Sequence, residues 1–144
     1  MTSTRKLSRI LGLSGLFAIT NVNAVDDGAL HVPSPDWRGQ IVYFLMIDRF
    51  NDGNPGNNDQ GVGEFDPSRN STYSVGDLAG IENKINYIKN LGATAVWITP
   101  PVAHQWWSIG SNYGGYHGYW GENLMAVDKH FGSLQDYKNL SKDL

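Results

Sequence analysis

The chain has 144 residues and no cysteine. A disulfide framework and a cysteine-based zinc site are therefore excluded. Neither G-x-x-x-x-G-K-[ST] nor G-x-G-x-x-G occurs, which disfavours phosphate and dinucleotide binding. G-x-S-x-G is missing as well, which disfavours a serine hydrolase. No repeat or low-complexity tract is visible. The one apolar run near the N-terminus, "ILGLSGLFAI" at residues 10–19, is too short to span a bilayer. Positive charge is scarce beyond it. After residue 24 there are eight Lys plus Arg against fourteen Asp plus Glu, a net charge of −6, and no basic cluster. Such a chain is a poor partner for nucleic acid or an anionic membrane.

What is present begins with an export signal. Arg5, Lys6 and Arg9 precede the apolar run, and "VNA" at residues 22–24 ends in a small residue. A cationic start, a short apolar stretch and a small-residue end, in that order, predict a signal peptide over 1–24. The mature chain then starts at Val25 and is secreted or periplasmic. Its length allows a single domain at most.

"IVYFLMI" at 41–47 and "TAVWITP" at 94–100 are short apolar runs rich in β-branched and aromatic residues. Both read as strands buried on two faces. Between them, Leu78, Ile81, Ile85, Ile88 and Leu91 recur at helical spacing, and Gly92 supplies a stop. Strand, helix and strand predict a βαβ unit with a parallel sheet. Ser133 and Asp136 form a capping-box pattern ahead of a last helix, on which Leu134, Tyr137 and Leu140 share a face. Two long loops follow the two strands, on the side where parallel α/β folds bind ligands.

The first loop, "NDGNPGNNDQGVG", gathers Asp52, Asn54, Asn57, Asn58 and Asp59. Hard oxygen donors without His or Cys suit Ca²⁺. The spacing is not that of an EF-hand, and a solvated turn uses the same residue types. The second loop holds Trp106, Trp107, Tyr113, Tyr116, His117, Tyr119 and Trp120. Rings with polar edges suit a sugar, which has apolar C–H faces and a hydroxyl rim. A self-packed Ω-loop or a protein interface would use them too. His104 alone reads as a core or surface histidine.

Four pieces in order, "VYFLMIDRFNDGNPGNN", "GDLAGIENKINYIKNLGATAVWITPPV", "YHGYWGENL" and "VDKHFGSLQDYKNL", resemble the N-terminal part of the catalytic domain of the α-amylase family. The chain looks especially like bacterial secreted α-amylases and cyclodextrin glucanotransferases, which share the Asn-rich loop after the first strand. The resemblance implies an α/β fold, the β1-α1-β2-α2 portion of a (β/α)₈ barrel, over residues 25–144. It assigns strand one to 41–47, helix one to 82–91, strand two to 94–99 and helix two to 133 onward. It implies an α-1,4-glucan substrate and a retaining hydrolase or transglycosylase. Tyr119 would stack on the sugar at the cleavage subsite, His117 would hydrogen-bond a hydroxyl, and Tyr116 and Trp120 would line the wall. A structural Ca²⁺ would be held by Asp52, Asn54, Asn57, Asn58, Asp77 and the carbonyl of Val75. Two positions depart from the pattern. Val75 stands where the family has glycine, and Asn123-Leu124 stands where "YWxxDF" has Asp-Phe.

In the family the catalytic carboxylates follow strands four, five and seven, and "D-x-x-x-N-H" follows strand three. None of these motifs occurs here, so the resemblance assigns no catalytic residue in this chain. The expectation is an N-terminal fragment that is unstable and inactive alone. The competing readings are a non-catalytic, calcium-dependent α-glucan-binding protein and a calcium-dependent structural module.

Overall fold

A computed structural model describes residues 35–144. The signal peptide expected over 1–24 lies outside the described residues. A single 3₁₀ turn, Trp37–Gly39, is capped by the Asp36 carboxylate. Strand β1 (Val42–Leu45) then pairs in parallel with β2 (Ala95–Ile98), from Val42 opposite Ala95 to Leu45 opposite Ile98. Two threonines clip the pair at its ends. Ile41 N donates to Thr94 Oγ1 at 2.9 Å, and Ile47 N donates to Thr99 Oγ1 at 3.2 Å. Strand β1 is shorter than its apolar run because Ile47 has already turned into a 3₁₀ turn, Ile47–Arg49.

The expected single helix over 82–91 is instead two, α1 (Leu78–Glu82) and α2 (Ile85–Asn90). At the break Lys84 N reaches back only to Ile81 O, a tightened i→i−3 bond. Asn83, a poor interior helix residue, sits at that point. Leu78, Ile81, Ile85 and Ile88 are buried as their spacing predicts. Leu91 is not, because α2 ends before it and Gly92 (φ +84°) turns the chain away.

The expectation that both strands are buried on two faces is also corrected. Leu45 is buried, and Tyr43, Val96 and Ile98 pack on the core formed with the helices. Val42, Phe44 and Trp97 point the other way and stay exposed. Helices cover only one face of this two-stranded sheet. Phe44 and Trp97 meet edge to face at 5.6 Å on the open side.

The aromatic segment is not featureless, despite its glycines. Strand β3 (Val102–His104) pairs antiparallel with β6 (Gly121–Val127) through shifts in register, and β4 (Trp107–Ser108) pairs with β5 (Tyr113–Gly114). Helix α3 (Leu134–Asp143) follows, with the expected capping box between Ser133 and Asp136. Of its apolar face only Leu140 is buried, while Leu134 and Tyr137 remain exposed. Leu78 N donates to Phe131 O, which ties α1 to the turn before α3.

Candidate functional site

Asp77 organises the Asn-rich loop. It is buried and caps α1, with Oδ1 accepting from Gly80 N at 2.6 Å and from Gly53 N at 3.1 Å. Its Oδ2 accepts from Asn54 N at 2.8 Å. Burial pushes this carboxyl up from its ordinary value, against those amides and the Asn57 side chain. Asn54 caps the 3₁₀ turn Pro55–Asn57 through a bond from Gly56 N, and Asp59 is spent on its own turn, accepting from Gly61 N.

Three oxygens in the loop are left over. Asp52 Oδ1, Asn57 Oδ1 and Asn58 Oδ1 are buried without a hydrogen-bond partner. Asn58 Nδ2 donates to the other Asp52 oxygen at 3.1 Å, which holds two of these side chains together. A buried acceptor without a partner costs about 1–3 kcal/mol. Three such costs within seven residues need compensation, which a hard cation would supply. The chemistry of the donors fits Ca²⁺. Among the described residues no three His, Cys, Asp or Glu side chains gather into a metal site, so the donors are mainly amide oxygens. Val75 lies between Ser74, whose N–H is held by Asp48, and Gly76, whose N–H donates to Asp48 O at 2.9 Å. Gly76 is where backbone closeness matters, since a Cβ there would lie 2.0 Å from the Ile47 carbonyl oxygen.

In the aromatic segment, Gly118 (φ +80°) lets the chain pass over the end of β2, where a Cβ would lie 2.1 Å from Pro100 O. That turn presents the candidate side chains. Tyr119 N donates to His117 Nδ1 at 3.0 Å, so the His117 proton is on Nε2. Burial, and then the field of His104, lower the His117 pKa, which keeps the ring neutral at pH 7. The Tyr119 ring is stacked on His117 at 5.8 Å and is 60% exposed. Trp120 meets His117 edge-on at 4.9 Å, and Tyr116 meets it at 5.6 Å. Tyr116 is braced from below, its hydroxyl hydrogen-bonded to Tyr113 and its ring covering the Arg49 guanidinium at 4.1 Å. Arg49 is itself fixed by Ser74 Oγ and by the carbonyls of Thr72 and Asn70. The four sequence-predicted aromatic positions thus form one cluster with an open ring and an imidazole N–H side by side. The Asn-rich loop forms a second cluster.

A cavity of about 350 Å³ adjoins Trp120, lined by Gln105, Ser108, Gly121 and Glu122. A larger groove of about 600 Å³ runs past Trp106, Trp107 and Ile109 and includes neither His117 nor Tyr119.

Sequence reasoning missed a buried polar layer beneath both clusters: Asp48, Glu64, Tyr73, Asp128 and His130. His104, which reads from the sequence as a core or surface histidine, is buried and joins this layer, with Nε2 hydrogen-bonded to the Tyr73 hydroxyl at 2.6 Å. Burial pushes the Asp48 carboxyl up to about 6, against Ser74 N, Arg49 and His130. Its oxygens are taken by Ser74 N and by Arg49 Nε at 3.2 Å, so it holds the loop instead of meeting a substrate. The available signal was "VDKHFG", which puts an acid and a histidine two residues apart.

Residues 44–144 match the α-amylase family in the region described as the alpha amylase catalytic domain. The chain belongs to this family. The α-amylase-family chain is 44% identical over 107 residues to a cyclomaltodextrin glucanotransferase of Klebsiella oxytoca, an alignment covering 74% of this chain and 16% of that enzyme. An Anoxybacillus α-amylase structure aligns with a TM-score of 0.62 at 45% identity, over 76% of this chain and 22% of that one. An α-amylase of Geobacillus thermoleovorans, solved with acarbose, aligns with a TM-score of 0.57 at 40% identity, over 76% and 21%. The chain therefore spans about a fifth or less of the curated relatives it matches first.

Proposed function

We propose that the intact protein cleaves or rearranges α-1,4-glucans by the retaining two-carboxylate mechanism, and that the residues described here build part of its substrate wall. The observation that carries this is the exposed Tyr119 ring beside the His117 Nε2–H. The ring offers a flat apolar face to a sugar, and the imidazole offers a neutral donor to a hydroxyl. Tyr116 and Trp120 hold that pair in place. The acarbose bound by the Geobacillus relative is the kind of ligand such a wall accepts.

Asp52, Asn54, Asn57, Asn58, Asp77 and the Val75 carbonyl would hold Ca²⁺. The ion would act by stiffening the loop. The protein's own part is to present neutral and anionic oxygens from a turn already fixed by Asp77. The parallel β1–β2 pair with its helices supplies the first two repeats of a (β/α)₈ barrel, whose interior would cover Phe44 and Trp97. Residues 1–24 direct the chain out of the cytoplasm. No described helix is long and apolar enough to cross a membrane.

The test is to incubate the intact protein with starch and follow reducing ends and cyclodextrins. Reducing ends alone mean hydrolysis, and cyclodextrins mean transfer within one chain. Maltooligosaccharide binding with neither product would replace the enzyme reading with a glucan-binding one. Relatives named as glucanotransferases and amylases favour the enzyme.

A further inference from the structure

His130 is almost fully buried, as are Glu64 and Asp128 on either side of it. Its Nε2 lies 3.0 Å from Glu64 Oε1, and its Nδ1 lies 2.9 Å from Asp128 Oδ1. Carboxylates only accept, so both ring nitrogens donate and the ring is an imidazolium. His104 gives the contrast nearby. Its Nδ1 lies 2.8 Å from Val102 O and its Nε2 lies 2.6 Å from the Tyr73 hydroxyl, so these two bonds require only one ring proton. Burial pushes the Glu64 and Asp128 carboxyls up, but the hydrogen bonds they accept outweigh it and leave both below the usual carboxylate range.

Each carboxylate has a second task. Glu64 accepts from Gln60 N at 2.6 Å and from Val62 N at 2.9 Å, which closes the turn following the Asn-rich run. Asp128 Oδ2 accepts from Trp106 Nε1 at 2.8 Å and from His104 N at 3.3 Å, which fixes the start of the aromatic segment. The ring is sandwiched against Tyr73 at 3.9 Å and meets Trp106 edge-on at 5.2 Å. The other charges in its surroundings are Asp48, Arg49 and Lys129, the last lying over the outer part of Trp106.

We propose that His130 is a positioning residue: a buried, charged crosslink that ties the 60–64 turn to the Trp106 end of the aromatic segment. Charge-assisted bonds at both ring nitrogens resist rotation of either acid, so the two loops keep one relative register. The value of that register for holding metal and glucan rests on the function proposed above. The crosslink itself does not.

Ring ¹⁵N NMR on the intact protein at pH 8 tests the charge. An ordinary histidine, with a pKa of about 6.5, is neutral there. His130 is expected to show two protonated nitrogens, while His117 shows Nε2–H alone. A neutral His130 ring overturns the proposal. Glu64→Gln then tests positioning, with the shape of the side chain kept. Expected are a loss of the imidazolium pattern, a shifted Trp106 indole N–H resonance, and amide exchange at Gln60 and Val62 faster by about tenfold or more. An unmoved indole and unchanged exchange in both Glu64→Gln and His130→Gln overturn it. If those variants do not fold, the unsubstituted protein's ring pattern still decides. Starch cleavage is read separately, and its absence beside an intact crosslink counts only against the proposed function.

Discussion

Tyr119 and His117 work as a pair because one backbone N–H joins them. The bond from Tyr119 N to His117 Nδ1 fixes the tautomer and leaves the ring proton on Nε2. Tyr119→Ala should reduce kcat/KM on maltooligosaccharides about 2- to 10-fold by removing the stacking face, while Tyr119→Phe stays close to the parent. The pH dependence has a definite sign. The His117 pKa is lowered in the folded state, so the folded protein favours the neutral ring. Stability and binding from this contact are full above the ordinary histidine range and decline as pH falls below it. A pH profile of maltooligosaccharide affinity that improves on acidification would contradict this assignment.

Helix and loop termini carry the next level of organisation. Ser133 and Asp136 cap α3 reciprocally, with Ser133 N donating to Asp136 Oδ2 at 2.7 Å. Ser133→Ala should cost about 1 kcal/mol, read as a lower denaturation midpoint at unchanged slope. In the Asn-rich loop the unpaired oxygens of Asp52, Asn57 and Asn58 predict a calcium response. Calcium at about a hundredfold excess over its Kd should stabilise the intact protein by about 2.7 kcal/mol, and a chelator should reverse it. Asp52→Ala should abolish the response. Retention of full calcium stabilisation in that variant would move the ion elsewhere.

At the scale of the whole molecule, two features set behaviour. Asp48 is sealed beneath the loops with its carboxyl raised to about 6 from an ordinary value of 3.8. A raised acid binds its proton more tightly when folded, so its contribution is present at low pH and is lost as pH rises from about 4 to about 6. The cost is on the order of 3 kcal/mol, and Asp48→Asn should flatten that limb of a stability–pH curve. Glu64 and Asp128 act in the opposite sense, since their lowered pKa values stabilise above the ordinary carboxylate range and fail on stronger acidification. The second feature is the open face of Val42, Phe44 and Trp97. Expressed as these 144 residues alone, the chain should self-associate and lack a cooperative thermal transition, because β1 and β2 keep apolar, unpaired edges. A sharp reversible transition of the monomer would disprove this.

The sequence by itself determined what depends on near neighbours in the chain. The β1 and β2 cores, the helical spacing of Leu78 to Ile88, the Ser133–Asp136 cap and the aromatic cluster all follow from local pattern, which is set by backbone sterics and side-chain periodicity. The break at Asn83, the early end before Leu91 and the open strand face did not, because each depends on which surface the helices cover. The metal-type loop was legible as composition, but which of its oxygens stay unpaired depends on Asp77, more than twenty residues away. The charged link between Glu64 and His130 spans 66 residues. Only tertiary structure decided it, because no local spacing records which acid the fold brings to the far side of an imidazole ring.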